Sequence, residues 1–342
     1  MGDRISTPKD MKRSIFRGIR TALLNSGSAT KVELSEQLGI SFPTISKFVG
    51  VMEKAGEVAA VGLDDSSGGR RARRYAYNPD YRLGITMFLE KKETPYAICN
   101  ALGEVKESGS CSGVLQEGID TLTKQLESLM ELHPGIRAIS FGVPGAVKDG
   151  RIIHIPGYEK FQDFDLKGFF QAKFRLPVAV ENDMNAAVLG YCERMRVSNS
   201  ESLVYLCFGQ NGPGAGLWLN GSVVRGSTSF SGEVSFVPLY DGGNFQQAIS
   251  NEEGAAVMMD NSSAIDAVSR LIASYAAMVN PKAVIFCRDE VSEELLDAIA
   301  SRSAAYVPKE HLPVLAASDW REDYLNGLRT LGMNLILDDH ED

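Results

Sequence analysis

The sequence lacks the long apolar runs that a membrane protein needs. No stretch approaches the roughly 18 consecutive apolar residues that span a bilayer, and the opening MGDRISTPKDMKRS has no apolar signal-peptide core. The hydrophobic fraction of 44% and the charged fraction of 23% are typical of soluble globular proteins. We therefore expect a cytoplasmic protein that does not insert into membranes.

Cysteine is also scarce. The five cysteines are odd in number and never spaced as Cys-x-x-Cys, which argues against a disulfide framework and against a zinc ribbon. We expect isolated buried thiols at Cys99, Cys111, Cys192, Cys207 and Cys287.

Positive charge is in deficit over the whole chain, whose net charge is −9, but it is concentrated at one end. Residues 1–78 carry 13 Lys and Arg against 8 Asp and Glu, a net charge of +5, which leaves 22 against 36, or −14, for residues 79–342. Attraction to phosphate needs local positive charge, so only the first segment is suited to contact nucleic acid.

The first 78 residues have the pattern of three helices followed by a hairpin. Thr30 and Glu33 form a capping-box pair before the second helix, and Ser41 can cap the third. The predicted elements are helices at 11–26, 30–39 and 41–56, strands at 58–61 and 71–77, and a turn at 64–69. The short connection between the second and third helices predicts a helix-turn-helix, whose second helix can lie in the major groove.

The third helix and the hairpin supply residues suited to DNA. The helix offers short polar groups and a cation, and the returning strand offers arginines that can contact phosphates or enter a narrow minor groove. The predicted DNA-contacting residues are Ser41, Thr44, Ser46, Lys47, Arg70, Arg71, Arg73 and Arg74. The alternative interpretation is a three-helix protein-interaction module with a solvated basic loop.

Strand and helix signals alternate through the rest of the chain, which predicts an α/β fold with two successive lobes. The predicted strands are 83–89, 96–100, 136–143, 178–180, 203–208, 216–219, 222–224 and 283–287, and the predicted helices are 118–132, 166–174 and 263–279. Residues after about 290 contain helical and strand-like stretches but no recognised motif.

Several runs of sequence resemble the ROK family of repressors and sugar kinases. SATKVELSEQLGISFPTISKFVGVMEKAGEV and SSGGRRARRYAYNP resemble its winged-helix segment, and four later motifs follow in the family's order: GVPGAVKDG, ENDMNAA, FGQNGPGAGLWLNGSVVRG and SGEVSFVPL. The resemblance implies a winged helix-turn-helix at 1–78 and a two-lobed, actin-like and ribonuclease-H-like domain at 79–342, with lobes at about 79–187 and 188–342.

The resemblance also implies a sugar site between the lobes. Asp183 matches the family's catalytic aspartate, and Asn182 and Glu233 match its hydroxyl-binding partners. We expect these three residues to bind an effector. The alternative is that Asn182 and Asp183 cap the helix that follows them, since both residue types are favoured there, and the two roles are compatible.

The residues that match the family's nucleotide site do not suit a kinase. Thr86 stands where the phosphate loop has an aspartate, and Phe88 and Leu89 replace glycines that let the backbone approach phosphate. Pro213 removes an amide donor from the second glycine-rich stretch, which is equally typical of a tight hairpin. We therefore expect no cofactor.

The family's zinc site is also missing from the sequence. Phe236 replaces its histidine, and no cysteine lies between Cys207 and Cys287, where the family's three thiolates would be found. We therefore expect no bound metal ion.

Together these observations favour a DNA-binding transcriptional regulator, expected to repress carbohydrate-related genes, rather than an enzyme. The expected partners are double-stranded DNA, a sugar or sugar-derived effector, and further copies of the chain in a homodimer or higher oligomer, since winged helices usually read paired half-sites. The main alternative is an active sugar kinase with an appended DNA-binding domain, whose ATP- and Mg²⁺-dependent activity Asp183→Asn would abolish. A third interpretation is an interaction protein whose second domain answers to another protein.

Overall fold

The computed structural model describes residues 7–63, 71–90, 92–155, 158–209, 212–250 and 262–338. Arg70 and the turn predicted at 64–69 lie outside these residues. Among the helices described, none combines the length and the apolar character that crossing a bilayer requires.

The N-terminal segment folds as three helices and a small antiparallel sheet. Thr7 and Thr30 begin the first two helices with reciprocal capping boxes, in which each threonine hydroxyl accepts a backbone N–H and an acidic side chain three residues later accepts the threonine N–H. Gly39, at φ 64°, ends the second helix in the left-handed region and lets the chain turn. The elements are α1 (Pro8–Ser26), β1 (Ala29–Thr30), α2 (Lys31–Leu38), α3 (Phe42–Ala55), β2 (Val58–Leu63) and β3 (Arg73–Tyr77), with sheet order β1-β3-β2.

A five-stranded mixed sheet of order β10-β7-β4-β5-β6 forms the first lobe. Strands β10, β7 and β4 are parallel, whereas β5 and β6 continue the sheet as an antiparallel meander. Its elements are β4 (Leu83–Phe88), β5 (Glu93–Cys99), β6 (Val105–Ser112), α4 (Val114–Glu117), α5 (Ile119–Leu132), β7 (Ile136–Val143), β8 (Ala146–Lys148), β9 (Arg151–His154), α6 (Leu166–Phe174), β10 (Val178–Asn182) and α7 (Asp183–Met195).

A second five-stranded sheet, of order β13-β12-β11-β16-β17, forms the other lobe. Strands β11, β16 and β17 are parallel, and β12 and β13 are antiparallel. Its elements are β11 (Leu203–Cys207), β12 (Gly214–Leu219), β13 (Ser222–Val223), β14 (Pro238–Leu239), β15 (Gly243–Asn244), α8 (Phe245–Ile249), α9 (Ser262–Met278), β16 (Ala283–Cys287), α10 (Glu293–Ser303) and β17 (Val314–Ser318). Helix α11 (Trp320–Leu337) follows β17 and returns to the first lobe. The α/β fold with two lobes that the sequence predicts is therefore confirmed.

The last helix, α11, packs along α7 and across β4 and β7. The two helices approach closely because glycines lie at their crossing. A Cβ atom on Gly190 would lie 1.8 Å from the carbonyl oxygen of Asp323, and one on Gly327 would lie 1.9 Å from that of Ala186. The main chains of α7 and α11 are therefore in direct contact, which larger residues would prevent.

A buried ionic cluster holds the C-terminal end of α11 against the winged helix. The Arg20 side chain, 1% exposed, donates from Nε to Glu57 Oε1 at 2.6 Å and from Nη1 to the carbonyl oxygen of Leu337 at 2.9 Å. Arg82 Nε lies 3.6 Å from Glu57 Oε1, and its Nη1 donates to the carbonyl oxygen of Asp338 at 3.3 Å. Loss of one partner would leave a buried charge uncompensated, so these groups hold the two parts together.

We expect Gly327→Ala to destabilise the protein by at least roughly 1–3 kcal/mol, the usual cost of overpacking a close contact. The new methyl group would meet the Ala186 carbonyl at 1.9 Å, so α7 and α11 would have to separate. Urea unfolding followed by circular dichroism measures the change. The matched control is Gly50→Ala in α3, where a Cβ atom meets nothing within 4 Å and better helix propensity should stabilise by up to about 1 kcal/mol. Equal effects of the two substitutions would contradict the close crossing.

Candidate functional site

The outer face of α3 is exposed and available to a partner. Ile45, Val49 and Met52 are buried and hold the helix against the winged-helix core. The opposite face presents an exposed row at helical spacing, formed by Pro43, Lys47, Val51 and Lys54. The sequence predicts only Lys47 of this row as a DNA contact, because the predicted contacts lie in the first turns of the helix.

The other predicted polar residues of α3 are partly engaged in local contacts. Ser41 occupies the N-cap position, but its side chain makes no capping hydrogen bond, and its hydroxyl lies 2.9 Å from that of Thr44. Ser46 is half-buried and its hydroxyl lies 3.2 Å from Lys31 Nζ of α2. Ser41 is exposed at the start of the helix, whereas Ser46 helps to join α2 to α3.

The arginines of the hairpin differ in their surroundings. Arg71 is exposed, and Arg73 is exposed with its Nη1 3.8 Å from Glu53 Oε1. Arg74 is half-buried and donates to Glu33 Oε1 at 3.2 Å and to the carbonyl oxygen of Ser28 at 3.0 Å, which ties β3 to the start of α2. Arg74 therefore positions the hairpin, and Arg71 and Arg73 are more available to phosphate.

A second candidate site lies where β10 ends and α7 begins. Asn182 Oδ1 accepts the backbone N–H of Asn185 at 3.0 Å, and Asn182 Nδ2 donates to the carbonyl oxygen of Gly145 at 3.0 Å. Asp183 Oδ1 accepts the backbone N–H of Met184 at 2.8 Å. The capping role predicted for Asn182 is confirmed. Asp183 is the first residue of α7, the helix that Asn182 caps.

The carboxyl groups at this site have perturbed proton affinities. Burial and, to a smaller extent, the negative charge of Glu233 raise the pKa of Asp183 from 3.8 to about 7, against the lowering effect of the Met184 backbone N–H. Burial also raises the pKa of Glu233, while the charge of His154 lowers it. Asp183 and Glu233 therefore interact through their charges, and His154 interacts with Glu233 in the same way. The sequence does not predict His154 as part of this site. A carboxyl with a pKa near neutrality can accept or donate a proton at the pH of the cell.

A buried glutamate next to this pair connects the lobes. Glu181 is 6% exposed, and its Oε1 accepts from the Asn182 N–H and from Asn185 Nδ2, both at 3.1 Å. Its Oε2 accepts from Arg225 Nε at 3.1 Å and also from Arg225 Nη2. Since Arg225 follows β13, the ion pair joins the edge strand of the first lobe to the second lobe.

A crevice of about 500 Å³ opens beside the Glu181–Arg225 pair. Its lining includes Lys148 and Lys167 of the first lobe and Leu331 and Leu335 of α11. A ligand in this crevice would contact both lobes and α11 at once.

The carboxyl end of β4 is closed by aromatic side chains. Phe88 packs edge-on against Tyr324 with a ring-centroid distance of 4.7 Å, and Tyr324 packs on Trp320 at 5.1 Å. A Cβ atom on Gly142 would lie 2.0 Å from the Tyr324 hydroxyl, so this ring covers the end of β7 as well. Burial, and then the charges of Asp183, Glu90 and Glu181, raise the pKa of Tyr324 well above its ordinary value. Packed aromatic rings therefore cover the ends of both strands.

Other residues that match family motifs have structural roles in this chain. Thr86 is buried and its hydroxyl donates to the carbonyl oxygen of Ala97 on β5 at 3.2 Å. Gly216 lets β12 approach α7, since a Cβ atom there would lie 2.2 Å from the carbonyl oxygen of Met184. Phe236 is 55% exposed and offers no metal-binding atom, so the residues do not fit the family's zinc ion.

The fold and these sites define a protein that combines a winged helix-turn-helix with a sugar-kinase-like α/β structure. Residues 94–245 match the model of the ROK family. The resemblance found in the sequence is therefore confirmed for this part of the chain.

The comparisons with known proteins include both repressors and kinases. The chain is 27% identical over 225 residues to the xylose repressor of Bacillus subtilis, a match that covers 64% of this chain and 58% of the repressor. The chain thus matches less than two thirds of that repressor's length.

Two solved structures share the fold. One is a ROK family transcriptional regulator described as a homologue of the E. coli MLC protein, with 16% identity, 95% of this chain and 97% of that chain covered, and a TM-score of 0.71. The other is a ROK hexokinase from Thermus thermophilus, with 20% identity, 72% and 97% covered, and a TM-score of 0.58. The fold is therefore shared by regulators and kinases.

The raised pKa of Asp183 predicts a specific dependence of stability on pH. Between the unfolded value of 3.8 and the folded value of about 7, the folded protein holds a proton that the unfolded chain releases, so stability is lost as pH rises through this window. Asparagine does not ionise, so Asp183→Asn removes this loss of stability with rising pH. We expect the variant to gain stability relative to the unmodified protein from about pH 4 to about pH 7, by a few kcal/mol at most, since one pKa unit corresponds to about 1.4 kcal/mol.

Urea unfolding midpoints across this pH range measure the difference. The control is Asp297→Asn at an exposed position on α10, which should show no such trend. Parallel pH profiles for Asp183→Asn and the unmodified protein would contradict the burial of this carboxyl group.

Proposed function

We propose that the chain is a DNA-binding transcriptional repressor of carbohydrate-related genes, whose sugar-kinase-like part binds a sugar effector without phosphorylating it. The observation that carries the proposal is the exposed outer face of α3, with Lys47 and Lys54, in a helix-turn-helix that is anchored on a kinase fold. The similarity to a xylose repressor supports the regulatory role and the sugar class.

In this proposal residues 1–78 read DNA and residues 79–342 bind the effector and a second copy of the chain. Paired winged helices in a homodimer would read two half-sites of an operator. Lys47, Arg71 and Arg73 are suited to phosphate or base-edge contacts because they are exposed. Ser41 and Thr44 lie at the start of α3, which is the end of a recognition helix that enters the groove.

The alternative, an active sugar kinase, is disfavoured by the aromatic cluster of Phe88, Tyr324 and Trp320. Phosphoryl transfer depends on donors that cradle the phosphates and on metal ions that neutralise developing charge. Here Phe88 at the end of β4 packs on Tyr324 of α11, and the Tyr324 ring also covers Gly142 near the end of β7. The proposal is therefore that the fold is retained for binding and not for catalysis.

The effector site proposed here uses Asn182, Asp183 and Glu233. Carboxyl and amide groups at a helix N-terminus can exchange hydrogen bonds with several sugar hydroxyls. A ligand bound to the Asn182 side chain would compete with its bond to the Gly145 carbonyl oxygen and would lie next to Glu181, which is bonded to Arg225 of the other lobe.

Helix α11 is the proposed connection between the effector site and the DNA-reading unit. Its first turns pack on Phe88 beside the Asp183 carboxyl, and its last residue, Leu337, accepts a hydrogen bond from Arg20 of α1. An 18-residue helix is about 27 Å long, so a shift of the lobes would be transmitted over that distance. Effector binding would then bias the position of α3 relative to its counterpart in the second copy.

The proposal predicts sequence-selective DNA binding that depends on the exposed cations. Fluorescence anisotropy with promoter fragments from the source genome, at several salt concentrations, measures it. We expect the double substitution Lys47→Ala with Arg71→Ala to weaken binding to every fragment. The slope of log K against log salt concentration should also become less steep by up to about 2, since each lost phosphate contact reduces it by about 0.9.

The matched control is Lys124→Ala, an exposed lysine on α5 of the first lobe, which should bind as the unmodified protein does. Equal, weak binding to all fragments, or an unchanged salt slope in the double variant, would overturn the DNA-reading role of this surface.

A further inference from the structure

The second lobe brings two thiols together at the ends of neighbouring strands. Cys207 is the last residue of β11 and Cys287 the last of β16, and these parallel strands are in register up to the pair Leu206 and Phe286. The expectation that all the cysteines are isolated is therefore wrong for this pair. Strand pairing, which the sequence does not display, is the reason.

A carboxylate completes the cluster. The chain turns directly after β16, and this turn places the Glu290 side chain next to the two thiols. The two Sγ atoms and a Glu290 carboxylate oxygen all lie within 4.8 Å of one another. Glu290 Oε2 accepts the backbone N–H of Phe208 at 2.9 Å, and Oε1 accepts from Cys207 Sγ at 3.3 Å. One oxygen is thus held by the main chain while the other faces the sulfur atoms.

These spacings suit a tetrahedral metal ion. With Zn–S bonds of about 2.3 Å and a Zn–O bond of about 2.1 Å, two sulfurs lie about 3.8 Å apart and sulfur and oxygen about 3.6 Å apart. The Cys207 to Glu290 separation of 3.3 Å is already close to this value. Small side-chain rotations would bring the whole set into place.

The cluster is also placed where an ion can enter. Cys287 is 8% exposed, but Cys207 and Glu290 are half-buried and therefore partly accessible to solvent. The carboxyl ends of parallel strands in α/β folds are a usual position for ligands. Two thiolates with one carboxylate favour zinc and other thiophilic ions over magnesium or calcium.

We propose that Cys207, Cys287 and Glu290 bind a zinc-class divalent ion, with a fourth position open to water or to a ligand. The site is distinct from the Asn182 and Asp183 site and from the position of Phe236. Bound metal would tie the end of β11 to the segment that follows β16. The backbone N–H of Phe208 would be tied to the same ion through Glu290.

The test is a Cd²⁺ titration of the fully reduced protein, followed by the ultraviolet charge-transfer band of cadmium thiolates, with Zn²⁺ as competitor. We expect one ion per chain, displaced by Zn²⁺. Cys207→Ser and Cys287→Ser should each abolish the band, and Glu290→Gln should weaken binding at least tenfold. The control Cys111→Ser changes a half-buried thiol outside the cluster and should leave the titration unchanged.

Far-ultraviolet circular dichroism reports whether each variant is folded. If Cys287→Ser does not fold, then Cys207→Ser and Glu290→Gln decide the question, since both positions are half-buried. A titration that is the same in these variants, or a reduced protein that takes up no ion, would overturn the metal site. Failure to bind an ion together with a Cys207–Cys287 disulfide on mild oxidation would also overturn it and identify a redox pair. None of these outcomes affects the DNA-binding proposal.

Discussion

The direct contact between the main chains of α7 and α11 is the constraint on which the rest of the structure depends. Gly190 and Gly327 permit that contact, and it brings α11 across the parallel strands of the first lobe. The start of α11 then lies against Phe88 near Asp183, and its end meets Arg20 of the winged helix. One helix crossing thus sets the position of the lobes and of the winged helix together.

In our proposal this arrangement lets a kinase-like fold serve regulation. Phe88 at the end of β4 packs on Tyr324 of α11, which packs on Trp320, and these contacts secure α11 against the first lobe. The carboxyl and amide groups of Asp183 and Asn182 remain at the start of α7. In our proposal the packing that removes phosphoryl transfer is the same packing that links effector binding to DNA.

The features that the sequence predicts well are those encoded by neighbouring residues. Capping boxes, helical periodicity and the Asn-Asp pair identify the helix-turn-helix and the start of α7 because each rests on a few consecutive positions. Strand β6 (Val105–Ser112) was not predicted because it is a mostly exposed edge strand without an apolar face. The Glu181–Arg225 pair and the Cys207–Cys287 pair depend on contacts between distant segments, which periodicity cannot reveal. The packing of α11 against α7 and its hydrogen bond to Arg20 also join distant segments, so the sequence does not predict them.

The central claim is that the effector site and the DNA-reading unit are coupled without phosphoryl transfer. The most direct test is operator affinity as a function of sugar concentration, with and without Mg²⁺ and ATP. We predict that a sugar bound by the protein weakens operator binding, that the operator weakens sugar binding by the same factor, and that ATP adds no further effect. Unchanged operator affinity at a saturating concentration of a bound sugar, or formation of a phosphorylated sugar, would contradict the account.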